Sequence, residues 1–266
     1  MSHVPAPPAP PLSREEVWQI AERCSDLLKT RFGARRVIVF GSAAGQAPWH
    51  CGSDLDLAVE GIRPEEFFRA HSALEELAPR NLKVDLVDLR TVYPEMRARI
   101  LGEVEMPDDP LLALKSIVDD ELTALERIVT ETEETLAEAH TPPTRVELRA
   151  LGDLAHDFFC GVESIFKRIA VRFDEGGPTT PNWHRDLLHQ MNVAQTGRRP
   201  VVIDNPLWAR LADYLDFRHF FRNAYRATLE WDKMQPHIAQ MRETLEMLQA
   251  QLAQFFATVQ AEKGKS

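Results

Sequence analysis

The sequence predicts an α+β chain in two parts, an N-terminal α/β domain followed by a C-terminal all-α helical bundle. Three observations carry this expectation. The 266 residues exceed one ordinary domain, so two are allowed. Short apolar or alternating runs of strand type occur only before about residue 107. Beyond that point the apolar residues recur at helical spacing. The boundaries read from these patterns are a disordered tail over 1–12, the α/β domain over 13–107 and the bundle over 108–262.

The tail is proline-rich, with Pro5, Pro7, Pro8, Pro10 and Pro11. Ser13 and Glu16 form a capping box, and Val17, Ile20, Ala21, Cys24, Leu27 and Leu28 follow on one face, which predicts a helix over 14–31 ended by Gly33. Val37–Phe40 is an apolar run read as a buried strand, and Asp54–Val59 alternates and reads as a second strand. A helix is expected over Glu65–Leu77 and a third strand over Lys83–Leu89. In the second half, long helices are expected over Leu111–Ala139 and Arg145–Phe173, separated by Thr141-Pro-Pro-Thr144. A shorter helix over Trp183–Val193 and two more over Leu207–Trp231 and Pro236–Val259 complete an antiparallel bundle.

Composition narrows the functional classes. Apolar residues make up 44% and charged residues 27%, a globular rather than disordered balance. The net charge is −10, against a broad electrostatic grip on nucleic acid. The first 107 residues carry 13 basic and 16 acidic groups, and the remainder 18 and 25, so the helical half is the more acidic. Cys24, Cys51 and Cys160 are widely spaced, which argues against a zinc ribbon or a disulfide framework. There is no secretory signal pattern and no apolar run of about 18 residues, so a cytoplasmic protein without membrane contact is expected.

The most informative stretch runs from Phe40-Gly41-Ser42 to Ser53-Asp54-Leu55-Asp56. Side chains two apart on a strand share a face, so Asp54 and Asp56 point the same way. Paired carboxylates repel unless a cation lies between them, and magnesium suits hard oxygen donors and shared phosphates. Gly41 lets backbone N–H groups approach a phosphate, and the Ser42 hydroxyl adds a donor. A third acid from the next strand would complete the set. Asp85 and Asp88 both qualify, but three residues apart they face opposite ways, so one lies outside the site. Taken singly, Gly-Ser is also a turn and Asp-x-Asp a solvated strand end.

The order of strand, Gly-Ser, loop, SDLDL strand, helix and acid-bearing strand resembles the minimal nucleotidyltransferases of the DNA polymerase β superfamily, over roughly residues 14–106. The resemblance implies Asp54, Asp56 and Asp85 as catalytic metal ligands for Mg²⁺ or Mn²⁺, with Asp88 the lesser choice for the third. It implies Gly41, Ser42 and Ser53 on a nucleoside triphosphate, with ATP as donor and pyrophosphate as leaving group. Loops of that family often carry arginine after Gly-Ser, where this chain has Ala43-Ala44-Gly45 and a slightly longer loop with Trp49 and His50.

In the helical half, Arg218-His219-Phe220-Phe221-Arg222-Asn223-Ala224-Tyr225 places Arg218 and Arg222 at i, i+4, with Tyr225 a turn further. By periodicity, Phe217, Phe220, Phe221 and Ala224 read as core and the arginines as a solvated face. The motif also resembles the HEPN superfamily, close to HepT-like toxin domains, over roughly residues 110–260. That resemblance aligns Arg218 with the motif arginine and Tyr225 with its tyrosine, and puts Asn223 where those ribonucleases have histidine. Asparagine does not titrate near neutral pH and cannot shuttle a proton. In that family a partner nucleotidyltransferase adenylylates the tyrosine, which implies Tyr225 as a modification site in a toxin–antitoxin context. A homodimer through the bundle is implied, and RNA is a candidate partner.

Other readings stand beside this one: a small-molecule nucleotidyltransferase of the aminoglycoside-modifying type, a HEPN ribonuclease toxin, and a non-catalytic module on an inactive HEPN dimer. His184 and His189 read as interface or surface residues, and His156-Asp157 as a satisfied helix pair. Arg198-Arg199-Pro200 reads as a solvated loop or an RNA or triphosphate contact, and the Glu131–Glu134 cluster as a solvated helix face.

Overall fold

The computed structural model describes residues 12–45, 53–174, 176–178, 180–222 and 228–264. The chain divides into two compact units, one up to Met106 and one from Pro107. The proline-rich tail therefore lies, apart from Leu12, outside the described residues, as do Cys51, Trp49 and His50.

The first unit opens with α1 (Arg14–Phe32). Its capping box is complete: Glu16 N–H donates to Ser13 Oγ at 3.3 Å, and Ser13 N–H donates to Glu16 Oε2 at 2.8 Å. Strands β1 (Arg36–Phe40), β2 (Leu55–Glu60) and β3 (Val84–Asp88) form one sheet in that order. β1 pairs antiparallel to β2, and β2 parallel to β3. The parallel pair requires a crossover, supplied by a 3-10 turn at Pro64–Glu66 and α2 (Phe67–Leu77). Val37, Val39, Leu55, Leu57, Val59, Val84 and Leu86 pack with the apolar stripes of α1 and α2. The opposite sheet face carries Ile38, Phe40, Ala58 and Val87 against α3 (Pro94–Leu101). The sequence pattern predicts no helix there. α3 is short and buries only Ile100, too little to register as a period.

The second unit is helical: α4 (Pro110–Glu138), α5 (Arg145–Phe173), α6 (Trp183–Asn192), α7 (Asn205–Arg222), α8 (Trp231–Ala239) and α9 (Met241–Lys263). Their apolar stripes make one core, from Leu111 through Phe166 and Tyr214 to Phe256. α4 and α5 approach closely where Leu125 fills the space over Gly161, since a Cβ there would lie 2.6 Å from Leu125 Cδ2.

Two expected boundaries are corrected. The helix expected over 207–231 is described to Arg222, and residues 228–230 are not helical. The helix expected over 236–259 is two helices meeting at Gln240. The buried positions Met234, Ile238, Met241, Leu245 and Leu248 keep helical spacing through that break, so periodicity cannot reveal it. Among the described residues no helix is long and apolar enough to cross a membrane.

Candidate active site

At the end of β1 the chain leaves Phe40 and turns at Gly41, whose φ is 69°. The turn continues to Gly45, whose N–H donates to the Ser42 carbonyl at 3.1 Å. Ala43 is fully buried, and its carbonyl accepts from Arg14 Nε at 2.8 Å and Trp18 Nε1 at 2.9 Å. The first turns of α1 thus hold the Gly-Ser turn in place. Gly41 has a second reason to be glycine: a Cβ there would overlap the Asp56 carboxylate. Backbone and acid are in contact, as a cradle for phosphate beside a cation would require.

The register explains which acids meet. Asp56 lies opposite Phe40 on β1 and opposite Asp85 on β3. Asp54 precedes β2, and by the two-residue period it faces the same side. Leu55 N–H donates to the Lys83 carbonyl at 2.9 Å, which sets the approach to β2 beside that to β3. Asp54, Asp56 and Asp85 therefore share the sheet face away from α1 and α2. Ser53 is described and immediately precedes them.

Asp88 is elsewhere. It lies on the opposite parity and is buried. Arg90 grips it through Nη2–Oδ2 at 2.5 Å, and also donates Nη2–H to the Ile62 carbonyl at 3.1 Å. The Arg90 hydrogen bonds hold the Asp88 carboxyl below its ordinary range. This acid ties the end of β3 to the segment after β2.

A cation already stands among the three acids. Lys83 Nζ is 2.7 Å from Asp85 Oδ2 and 3.8 Å from Asp54 Oδ2. Burial works to lower the Lys83 pKa, but the Asp85 hydrogen bond and the charges of Asp85, Asp54 and Asp56 outweigh it and raise it above the ordinary lysine value. From the sequence, Lys83 is only the start of a strand. Among the described residues no group of three or more His, Cys, Asp or Glu side chains is gathered tightly enough to hold a metal. The seated ammonium shows that the face nonetheless suits a cation, and its oxygen-only donors suit a hard one.

In the helical unit, Arg218 is buried, not part of a solvated face, and Phe220 is 42% exposed, not core. Arg218 Nη1–H donates to His184 Nε2 at 3.1 Å, and Nη2 lies 3.6 Å from Glu163 Oε2. His184 Nδ1 is in turn bonded to the buried Glu163 carboxylate. Trp183 stacks on His184 with ring centroids 3.5 Å apart, and Lys167 Nζ sits 4.3 Å over the Trp183 ring. Burial lowers the His184 pKa; Glu163 opposes this, while Arg218 and His219 add to it. So His184 is mostly covered, with 11% of its side chain exposed, rather than a free surface residue. The signal for the cluster was Glu163 itself, a carboxylate on the buried stripe between Phe159 and Phe166, which demands a cationic partner. Asn223 and Tyr225 lie outside the described residues, and Arg222 is exposed.

Arg199 is neither solvated nor available to a ligand. It is buried, with Nη2 2.6 Å from Asp174 Oδ2 and donating to the Gln190 carbonyl at 2.8 Å. His156 lies 3.2 Å from Asp157 on the same helix.

These features define a class before they define a chain. Residues 22–106 match the family model described as Polymerase beta, Nucleotidyltransferase, and the first unit is a nucleotidyltransferase domain. Residues 150–259 match the family model described as HepT-like protein. The chain is thus a nucleotidyltransferase domain fused to a HepT-like helical domain. No curated protein and no solved structure matches it.

Proposed function

We propose that the first unit is a Mg²⁺- or Mn²⁺-dependent adenylyltransferase using ATP, and that Tyr225 of the HepT-like unit is its acceptor, in a toxin–antitoxin context. The observation that carries this is the shared sheet face of Asp54, Asp56 and Asp85, with the Gly41 turn packed on Asp56. In this reading Asp54, Asp56 and Asp85 hold the divalent ion, which supplies Lewis-acid charge neutralisation to the triphosphate. Gly41, Ser42 and Ser53 position the phosphates through backbone N–H and hydroxyl donors. The acceptor hydroxyl attacks the α-phosphorus, the α–β phosphoanhydride bond breaks, and pyrophosphate leaves. The hydroxyl proton passes to the carboxylate face.

The helical unit serves as acceptor and as a homodimerising scaffold, without ribonuclease activity. Two points support the lack of ribonuclease activity: Asn223 cannot carry a proton, and the Arg218 guanidinium is engaged by Glu163 and His184. Intact-mass measurement after incubation with each nucleoside triphosphate and Mg²⁺ tests the proposal. An adenylyl adduct with ATP, absent from Tyr225→Phe and from Asp54→Ala/Asp56→Ala, is expected. No adduct on the wild type, or one retained in Tyr225→Phe, removes self-modification.

A further inference from the structure

We propose that Lys83 is a tethered counter-ion of the acid face, occupying the place of the divalent cation when none is bound and vacating it when one binds. The inference rests on the reading above that Asp54, Asp56 and Asp85 take such a cation.

The sheet creates an electrostatic problem. Asp56 and Asp85 are direct neighbours across a parallel pair, and Asp54 lies one period away. Like charges opposite each other on a sheet oppose its formation. When no ion is bound, a cation from the chain itself can offset that repulsion. Lys83 lies two residues before Asp85, hence on the same side of the chain, and its ammonium reaches Asp85 at 2.7 Å and Asp54 at 3.8 Å.

The same contact sets up a competition. Magnesium binds carboxylate oxygens at about 2.1 Å in near-octahedral geometry, and the ammonium already holds Asp85 Oδ2 at 2.7 Å. A divalent ion held by the same carboxylates would stand close to the ammonium, and the two cations would repel each other. Departure is easy: the Lys83 side chain is 65% exposed, and its four-carbon stem can swing into solvent while the strand stays in place. Lys83 thus offsets part of the negative charge of the nucleotide-free face, and makes metal binding weaker than the acids alone would give.

The test is Mn²⁺ binding to the full chain without nucleotide, read from the electron paramagnetic resonance of free Mn²⁺. It compares wild type, Lys83→Met and Lys83→Arg, with circular dichroism to confirm folding. Lys83→Met should bind Mn²⁺ about tenfold more tightly, the effect of one charge acting at 4–6 Å. Lys83→Arg, which keeps the charge, should stay near wild type. A second readout needs no variant: acetylation of Lys83 by an activated ester, mapped by peptide mass spectrometry, should rise as Mn²⁺ saturates the protein. Wild type binding Mn²⁺ with Lys83→Met equal or weaker overturns the counter-ion role and leaves the metal site standing. A Lys83→Arg variant as tight as Lys83→Met overturns it too, because the effect would then be steric. Unchanged acetylation at saturation also counts against it. If neither wild type nor Lys83→Met binds Mn²⁺, the metal reading itself falls and the inference with it.

Discussion

Replacing Gly41 by alanine should separate the fold from the chemistry, and Gly33→Ala supplies the control. Both glycines have nearly the same left-handed backbone, φ 69° at Gly41 and 70° at Gly33. A side chain in that region costs roughly 1–2 kcal/mol. At Gly33 an added methyl meets nothing within 4 Å, so the backbone cost is the whole cost. At Gly41 the methyl overlaps the Asp56 carboxylate. That carboxylate ends a rotatable side chain and can turn aside, so the extra loss of stability should be small. The turn moves an Asp56 oxygen by about 1 Å, however, and if Asp56 acts as proposed a misplacement of that size costs about 10²-fold in rate. The expected result is two variants of similar thermal stability. Gly33→Ala should transfer nucleotide within about twofold of wild type, and Gly41→Ala about 10²-fold more slowly. Chemical denaturation and a pyrophosphate-release assay measure the two quantities. Equal activity in the two variants, each shown to be folded, would refute the placement of Asp56 in the reacting centre.

The remaining predictions concern residues that hold the units together. Asp88→Asn should destabilise the first unit by about 1–3 kcal/mol, since it weakens a charge-assisted bond to Arg90 at a buried position, while leaving Mn²⁺ affinity unchanged. Urea denaturation with a parallel Mn²⁺ titration checks both. Stability of the helical unit should fall on acidification below pH about 6.5, because burial depresses the native pKa of His184 and of His237. The unfolded chain then binds more protons than the folded one, so that stability is complete above the unfolded value and shrinks as pH drops toward the folded one. A melting temperature independent of pH between 7 and 5 would contradict the neutral His184 bonded to Arg218.

The elements that a short window can specify were legible. Ser13 and Glu16 announced α1, and Thr144-x-x-Glu147 closes the same kind of box on α5, because capping is completed within four residues. The acid face was legible for a related reason: a period of two decides that Asp54 and Asp56 agree and that Asp85 and Asp88 differ. Periodicity misplaces Arg218 because a helix row has no inside until another helix covers it. Its partners come from α5 and α6, and no periodicity within α7 points to them. The exposed Phe220 departs from its periodicity for the same reason in reverse.

By itself the sequence determined the two-part architecture, the order of the three strands and of the longer helices, and the parity that makes Asp85 eligible and Asp88 an outsider once either joins Asp56. These follow from local backbone geometry, which repeats every two or 3.6 residues irrespective of what lies opposite. Tertiary structure decided everything that depends on a neighbour far along the chain. The parallel register places Asp85 itself beside Asp56. The Ala43 carbonyl is anchored by Arg14 and Trp18, Lys83 is seated between Asp85 and Asp54, and Glu163 is closed off by His184 and Arg218. A charge is stable only in relation to its surroundings, and for each of these groups the surroundings are made by packing.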